Sequence, residues 1–319
     1  MAGKDPLRKS KKFALPFMPA TWRHLGFQDS DWILCSSHLF AHHARFSGPA
    51  RNATKFIYAY TPARYIWTPE LDQRGNSIAA RAIARPFRAL DRRRAQEPSS
   101  IAGISQFVRE RIERSWEREA RVIYPPVNVS DFVSEEAIFS SLEEEMLERL
   151  PAEFILGASR FIPYKRLDLV IKAGAAAGLP VVLAGSGPSL GYLKQCAAEY
   201  PGTVTFVDAP SLQMLRELYR RCALYVFPPV EDFGIMPVEA MATGTPVLAS
   251  SIGGAAETVI HGKTGYLLES FESASLGDAV HSAISLAGPS CQAQAWKFDR
   301  SVFAREMKAW VLSEKSAVH

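Results

Sequence analysis

The chain has 319 residues, 47% of them hydrophobic and 22% charged. That length implies two domains, because single cores stop growing at about 250–300 residues, and the composition excludes a disordered, collagenous or disulfide-scaffold protein. The net charge of +4 conceals an asymmetry: residues 1–125 hold 22 Lys+Arg against 11 Asp+Glu, and residues 126–319 hold 15 against 22. A basic half favours an anionic partner, whether nucleic acid, phosphorylated substrate or anionic lipid surface.

At the start, Lys4, Arg8, Lys9, Lys11 and Lys12 precede a short apolar run that Pro16 and Pro19 interrupt, which speaks against a signal peptide. No apolar run approaches the ~20 residues of a membrane-spanning helix. Trp32–Ser36 and Lys55–Tyr60 read as strands, and Ile78–Arg94 as a long arginine-rich helix. Ile101–Ser105 reads as a strand, Phe107, Val108, Ile112 and Trp116 as a helix stripe, and Arg121–Tyr124 as another strand. Tyr124-Pro125-Pro126 stops that strand and opens a connection to about Pro151, so domains of 1–150 and 151–319 are expected, the second ending in a helix.

Beyond the connection, short apolar runs alternate with helical stripes. The runs are Phe154–Ala158, Pro180–Ala184, Val204–Val207, Ala223–Phe227, Pro246–Ala249 and Gly265–Leu268. The stripes are Leu167, Val170, Ile171, Gly174 and then Leu212, Leu215, Tyr219, Cys222. Alternation of this kind implies a parallel sheet covered on both faces, with ligands outside the carboxyl ends of the strands. The cysteines at 35, 196, 222 and 291 have no zinc-site spacing and read as free thiols of a reducing cytoplasm. His38 and His42 are spaced i, i+4 but lack a third ligand, so no metal site is expected.

Two motifs carry chemistry. Glu231-Asp232-Phe233-Gly234-Ile235-Met236-Pro237-Val238-Glu239 follows a strand and opens a helix. Its amides at Phe233, Gly234 and Ile235 suit an anion or hydroxyl, and its two glutamates suit a ligand rich in hydroxyls. A solvated helix start is the plain alternative. Arg160, Lys165 and Arg166, in Ala158–Arg166, crowd cations where a helix start prefers acids. A bound diphosphate would reverse that penalty, whereas a solvated basic loop needs none. Gly185-Ser186-Gly187-Pro188 is a weak phosphate-loop signal, and Gly253-Gly254 reads equally well as a tight turn.

The run from Phe154 to Glu269 resembles the nucleotide-sugar-binding domain of retaining GT-B glycosyltransferases of the family-four type, whose paired glutamates have seven residues between them. Ala14–Ala20, Tyr58–Tyr65 and Val122–Val127 are similar to segments of the WbaZ-like mannosyltransferases within that family. The resemblance implies an α/β fold of two Rossmann-like domains with parallel sheets facing across a cleft. It also implies transfer of a hexose such as mannose from GDP-mannose or a UDP-sugar to a lipid-linked or polysaccharide acceptor, with no metal or other cofactor. Arg160 and Lys165 would hold the donor diphosphate. Glu231, with the backbone of Phe233, Gly234 and Ile235, would bind the transferred sugar, and Glu239 the ribose.

The chain departs from that family twice. An early strand with a Gly-Gly turn and helix is missing, which implies an incomplete N-terminal domain with a sheet edge or core face exposed. In Tyr58-Ala59-Tyr60-Thr61-Pro62-Ala63-Arg64, Tyr60 stands where the family has a histidine, whereas Arg64 is retained. Tyr60 and Arg64 are the expected acceptor-side residues. A non-catalytic or partner-dependent sugar-nucleotide-binding protein is the competing reading. The basic half is expected to face the acceptor at the cytoplasmic membrane surface. A nucleic-acid partner is not expected, for want of an aromatic–basic recognition motif.

Overall fold

The computed structural model describes residues 17–68, 78–134 and 138–316. The first four strands, β1 (Trp32–Ser37), β2 (Thr54–Ala59), β3 (Ser100–Gly103) and β4 (Arg121–Val122), form a parallel sheet in the order β1-β2-β3-β4. Six more form a second parallel sheet: β5 (Ile155–Ala158), β6 (Val181–Ala184), β7 (Val204–Val207), β8 (Leu224–Phe227), β9 (Val247–Ser250) and β10 (Gly265–Leu268). Their spatial order is β10-β9-β8-β5-β6-β7. Each expected strand is present, with ends moved by at most two residues. All residues of β5, β6, β8 and β9 are buried, as strands covered on both faces require.

The helices that matter below are α1 (Ile78–Arg94), α2 (Gln106–Trp116), α3 (Asp168–Ala177), α4 (Leu212–Arg221), α5 (Ile235–Ala242), α6 (Leu276–Ile284) and α7 (Arg300–Ser316). Serine side chains start two of them. Ser105 accepts the Val108 N–H at 3.0 Å, and Ser211 the Met214 N–H at 3.1 Å. Val170 and Ile171 of α3 and Val280 and Ala283 of α6 pack with Ile155, Val181, Leu224 and Leu248 into one core. The buried face of α4 differs from the expected stripe. Met214, Leu218 and Tyr219 are inside and Leu212 is 57% exposed. Arg216 is buried too, because its guanidinium reaches the carbonyl of Asp131 at 2.8 Å.

Two compact units result. One runs from the first described residues to Tyr124 and regains the chain from Arg305; the other is Pro125–Ala304. The partition differs from a division at residue 150. The segment expected as a connection belongs to the second unit. Arg220 and Arg221 bond to the carbonyls of Ser134 and Leu147, and Val127 exchanges backbone bonds with Phe298 and Arg300. The same segment holds a short helix, Ser141–Glu148, opened by a Ser140/Glu143 capping box. The later part of α7 returns to the first unit, where Trp310 packs edge-on against Phe56 and donates to Ser100. Among the described residues β1 pairs on one side only, with Trp32 and Leu34 about two-fifths exposed at 40% and 39%.

A buried carboxylate organises the first unit. Asp91 of α1 is inaccessible to solvent. Trp67 and Trp116 donate their indole N–H groups to its Oδ2 at 2.8 and 2.7 Å. His43 Nε2 bonds to Oδ1 at 3.0 Å, and His42 Nε2 lies 3.0 Å from the same oxygen. His42 and His43, rather than His38 and His42, are therefore the histidines brought together. Burial alone would raise the Asp91 carboxyl, but His42, His43 and Trp67 outweigh it and hold it well below the usual carboxylate range. Burial pushes His43 down despite its bond to Asp91.

Both groups bind protons more readily in the unfolded chain, so the stability they supply is complete above their ordinary pKa values and is lost on acidification. Stability should fall as pH drops below about 6.5 through His43 and again below about 4 through Asp91. Asp91→Ala should cost about 3–5 kcal/mol, the scale of a broken buried charge cluster. Asp91→Asn should flatten the lower part of the profile. Urea denaturation across pH checks both; a profile unchanged in Asp91→Asn would contradict the assignment.

Candidate active site

The site forms where the strand order of the six-stranded sheet reverses. From β5 the sheet continues through β6 and β7 on one side and β8, β9 and β10 on the other. Connections leaving two such strands at their carboxyl ends go to opposite sides and open a crevice between them. The loop after β5 carries Arg160 and Lys165, and the loop after β8 carries Glu231. Tyr225 ties the two strands together here, its hydroxyl donating to the carbonyl of Ala158 at 3.0 Å.

Lys165 and Glu231 meet. The Lys165 ammonium donates to Glu231 Oε1, and the two side chains are 9% and 24% exposed. The ammonium also lies over the rings of Tyr164 and Phe227, 5.3 and 5.8 Å from their centroids. Arg166 takes a separate partner, Asp168, through its Nη2 at 3.0 Å. Two of the three cations at this helix start therefore have acidic partners. Asp168 supplies the acid that the first turn of α3 prefers, and Glu231 reaches Lys165 from another strand. Arg160 is the one left over, exposed and without a side-chain partner among the described residues.

Backbone packing fixes both loops. Phe161 N–H donates to Ser186 O at 2.7 Å, and Ser189 N–H to Phe161 O at 2.9 Å. A Cβ on Gly187, which has φ +150°, would stand 2.5 Å from Phe161 O. The Gly185–Gly187 turn therefore acts by holding the Arg160 loop. On the other side Gly254 N–H donates to Glu231 O at 2.8 Å, and a Cβ on Gly254 would stand 2.3 Å from Phe233 Cα. The Phe233 ring is anchored edge-on against Phe298. In α5 the first intrahelical bond runs from Val238 N–H to Gly234 O at 3.4 Å. The amides of Gly234 and Ile235 precede it, in the position a helix start offers to an anion or a hydroxyl.

Glu239 lies inside α5, partly open to solvent. Burial raises its carboxyl to about 7, and the Tyr219 hydroxyl, which donates to Oε2 at 3.4 Å, only partly offsets this. Glu239 and Glu231 both act on Tyr225, whose hydroxyl burial already pushes up. Tyr219 had been legible only as part of an apolar stripe. The signal for its role is general: a buried tyrosine hydroxyl needs a partner. Tyr60 and Arg64 belong to the other unit. Tyr60 follows the carboxyl end of β2, 39% exposed, its N–H bonded to Ser37 O at 2.8 Å, and Arg64 opens the short helix Arg64–Trp67.

Residues 141–295 match the family model described as glycosyl transferases group 1. One relative is an uncharacterized glycosyltransferase, YqgM, of Bacillus subtilis (strain 168). It is 27% identical over 201 residues, covering 59% of this chain and 52% of the relative. Another is a D-inositol 3-phosphate glycosyltransferase of Nocardia farcinica (strain IFM 10152), 34% identical over 147 residues, covering 41% of this chain and 32% of the relative. The chain thus spans about half or less of the length of these relatives. Among solved structures, Anabaena Alr3699/HepE in complex with UDP and glucose aligns with a TM-score of 0.65 and 20% identity over 98% of this chain and 84% of the other. The α/β architecture with parallel sheets is that of the GT-B glycosyltransferases.

A carboxyl raised by burial costs stability once it ionises. Its unfolded counterpart titrates near 4.3, so the native state is favoured below that pH and loses the advantage as pH rises through 7. Glu239→Gln should therefore stabilise the chain by about 2–3 kcal/mol at pH 8 and by much less at pH 4. Thermal or urea unfolding at the two pH values checks this; equal effects at both would contradict it.

Proposed function

We propose that this chain is a retaining glycosyltransferase that moves a hexose from a nucleoside-diphosphate sugar to a glycan or lipid-linked acceptor. The observation that carries the reading is the Lys165–Glu231 contact beside the unpartnered Arg160, at the reversal point of a sheet whose segment matches the group 1 domain. Arg160 offers a planar fork to the donor diphosphate and Lys165 a point charge. Glu231 and the amides of Phe233, Gly234 and Ile235 receive the hydroxyls of the hexose. Glu239 receives those of the ribose. The donor is the substrate of the reaction, GDP-mannose or a UDP-sugar, and the chemistry needs no further cofactor.

Breaking the sugar–phosphate bond transfers its electron pair to the leaving nucleoside diphosphate. Negative charge grows on the phosphate oxygens facing Arg160 and Lys165. Fixed cations and helix-start amides then interact more strongly with the transition state than with the bound donor, which is what accelerates the step. The acceptor hydroxyl attacks from the face that the diphosphate leaves, its proton passing to a phosphate oxygen, so the anomeric configuration is kept. Glu231 holds sugar hydroxyls and Lys165 in this scheme and forms no bond to the sugar. The basic first unit suits an acceptor at an anionic, cytoplasmic membrane face. No helix among the described residues is long and apolar enough to cross a membrane.

Tyr60 favours a second reading, sugar-nucleotide binding without transfer, because a phenol can hydrogen-bond a sugar but lacks the imidazole nitrogens with which histidine exchanges protons. Two measurements test these readings. Calorimetric titration with UDP and GDP should show binding of one of them, weakened by about 1.5–3 kcal/mol in Arg160→Ala, the scale of a hydrogen bond to a charged group. An unchanged dissociation constant would remove Arg160 from the phosphate site. Release of nucleoside diphosphate from the matching sugar nucleotide should rise in Tyr60→His if the histidine is what fast turnover lacks. Binding with no release in either form would select the non-catalytic reading.

A further inference from the structure

The first unit carries a second concentration of positive charge at the amino-terminal ends of its strands. A cavity of about 980 Å³ there is lined by Arg23, Arg45, Arg51, Arg93 and Arg94. An adjoining recess of about 290 Å³ shares three of these arginines and adds Lys55 and Glu97. Among the described residues no carboxylate lines the larger cavity. Glu97, in the recess, is shared three ways: Arg23 at 2.6 Å, Arg94 at 2.9 Å and Lys55 at 3.6 Å. Arg94 and Arg23 hold its carboxyl below the usual range although burial opposes them. Arg45, Arg51 and Arg93 have no side-chain partner among the described residues.

The backbone builds this wall. Arg45 N–H donates to Trp22 O at 2.9 Å and Leu25 N–H to Arg45 O at 3.4 Å, which laces the segment of Arg23 to that of Arg45. Arg51 lies in the short turn Pro49–Asn52 that leads into β2, and Arg93 and Arg94 end α1. A helix carboxyl end favours cations, which accounts for Arg93 and Arg94. Nothing in the local structure accounts for Arg45, in a loop, or for gathering six cations in two adjoining cavities that hold one carboxylate. Like charges in one recess repel. Burial pushes the Lys55 ammonium down although Glu97 beside it opposes the shift.

This place is distinct from the carboxyl ends of the strands, where ligands of parallel sheets normally sit. Lys55 is the second residue of β2 and Tyr60 follows its end, a separation of about 16 Å along the strand. We propose that the arginine-lined cavity binds a ligand carrying clustered phosphate charge, a pyrophosphate group or a phosphorylated headgroup, independently of the sugar-nucleotide site. Guanidinium forks match phosphate oxygens in pairs. The volume is that of a small-molecule pocket, and Phe46, Phe87 and Leu90 give it an apolar side for the rest of the ligand.

The test uses the full chain carrying Arg160→Ala, which weakens the other phosphate site. It is titrated with inorganic pyrophosphate and, separately, sedimented with phosphatidylcholine vesicles with and without phosphatidylglycerol. At least one probe should bind, less tightly as salt is raised. Adding Arg45→Gln, Arg51→Gln and Arg93→Gln together should lower that affinity by roughly tenfold or more, with the melting temperature unchanged. Should the triple variant not fold, Arg45→Gln and Arg51→Gln, each at an exposed position, give the same reading singly. Binding of pyrophosphate identifies a free ligand, and binding that requires phosphatidylglycerol identifies a headgroup. No binding of either probe at low ionic strength, or binding undiminished by the substitutions, would overturn the proposal.

Discussion

The contact between Lys165 and Glu231 depends on two loops that are 66 residues apart in the chain and meet because the sheet reverses its order between β5 and β8. Everything else in the second unit supports that meeting. The buried strands fix where the loops emerge, and Tyr225 joins them at the level of Ala158. Two glycine turns then bring neighbouring backbone closer than a side chain would allow. Moving either loop by an ångström would separate the pair and misplace Arg160. A crevice of parallel strands thereby becomes a set of charges with fixed positions, which is the condition for electrostatic catalysis.

The charges are arranged unequally. Arg166 is neutralised by Asp168 and Lys165 is shared with Glu231, whereas Arg160 keeps its guanidinium open to solvent. Glu239 is held in surroundings that raise it to about 7. The raised Glu239 carboxyl lowers the stability of the protein once it ionises. In the proposed function a ligand brings hydroxyls to this carboxyl and phosphate charge to Arg160. The first unit contrasts with this. Asp91 receives the indole N–H groups of two tryptophans and a histidine N–H, so its charge serves cohesion. Its arginine cavity lies elsewhere, with charge left over in the manner of a binding site.

Much of this was legible in the sequence where the signal is local. The strands of the second unit are apolar runs bounded by Gly and Pro, and the glutamate and arginine motifs lie at their carboxyl ends as the alternation of elements implies. What escaped was non-local. Arg216 reads as an outward residue of α4 until the carbonyl of Asp131 appears beside it, and Leu212, which looks like core, projects from the first turn. Asp91 is one acid in an arginine-rich helix, and its partners His43, Trp67 and Trp116 are 48, 24 and 25 residues away. The capping box at Ser140 and Glu143 was present in the sequence but lay inside what reads as a connection. Continuity of chain suggested a domain boundary near residue 150, whereas hydrogen bonds to α4 draw that segment into the second unit.

Amide hydrogen exchange of the full chain, measured with and without UDP and GDP, tests whether the Lys165 and Glu231 loops form one donor site. The nucleotide that binds should slow exchange in two separate stretches, residues 159–165 and 231–239. Protection confined to other parts of the chain, or no binding of either nucleotide to the folded protein, would contradict it.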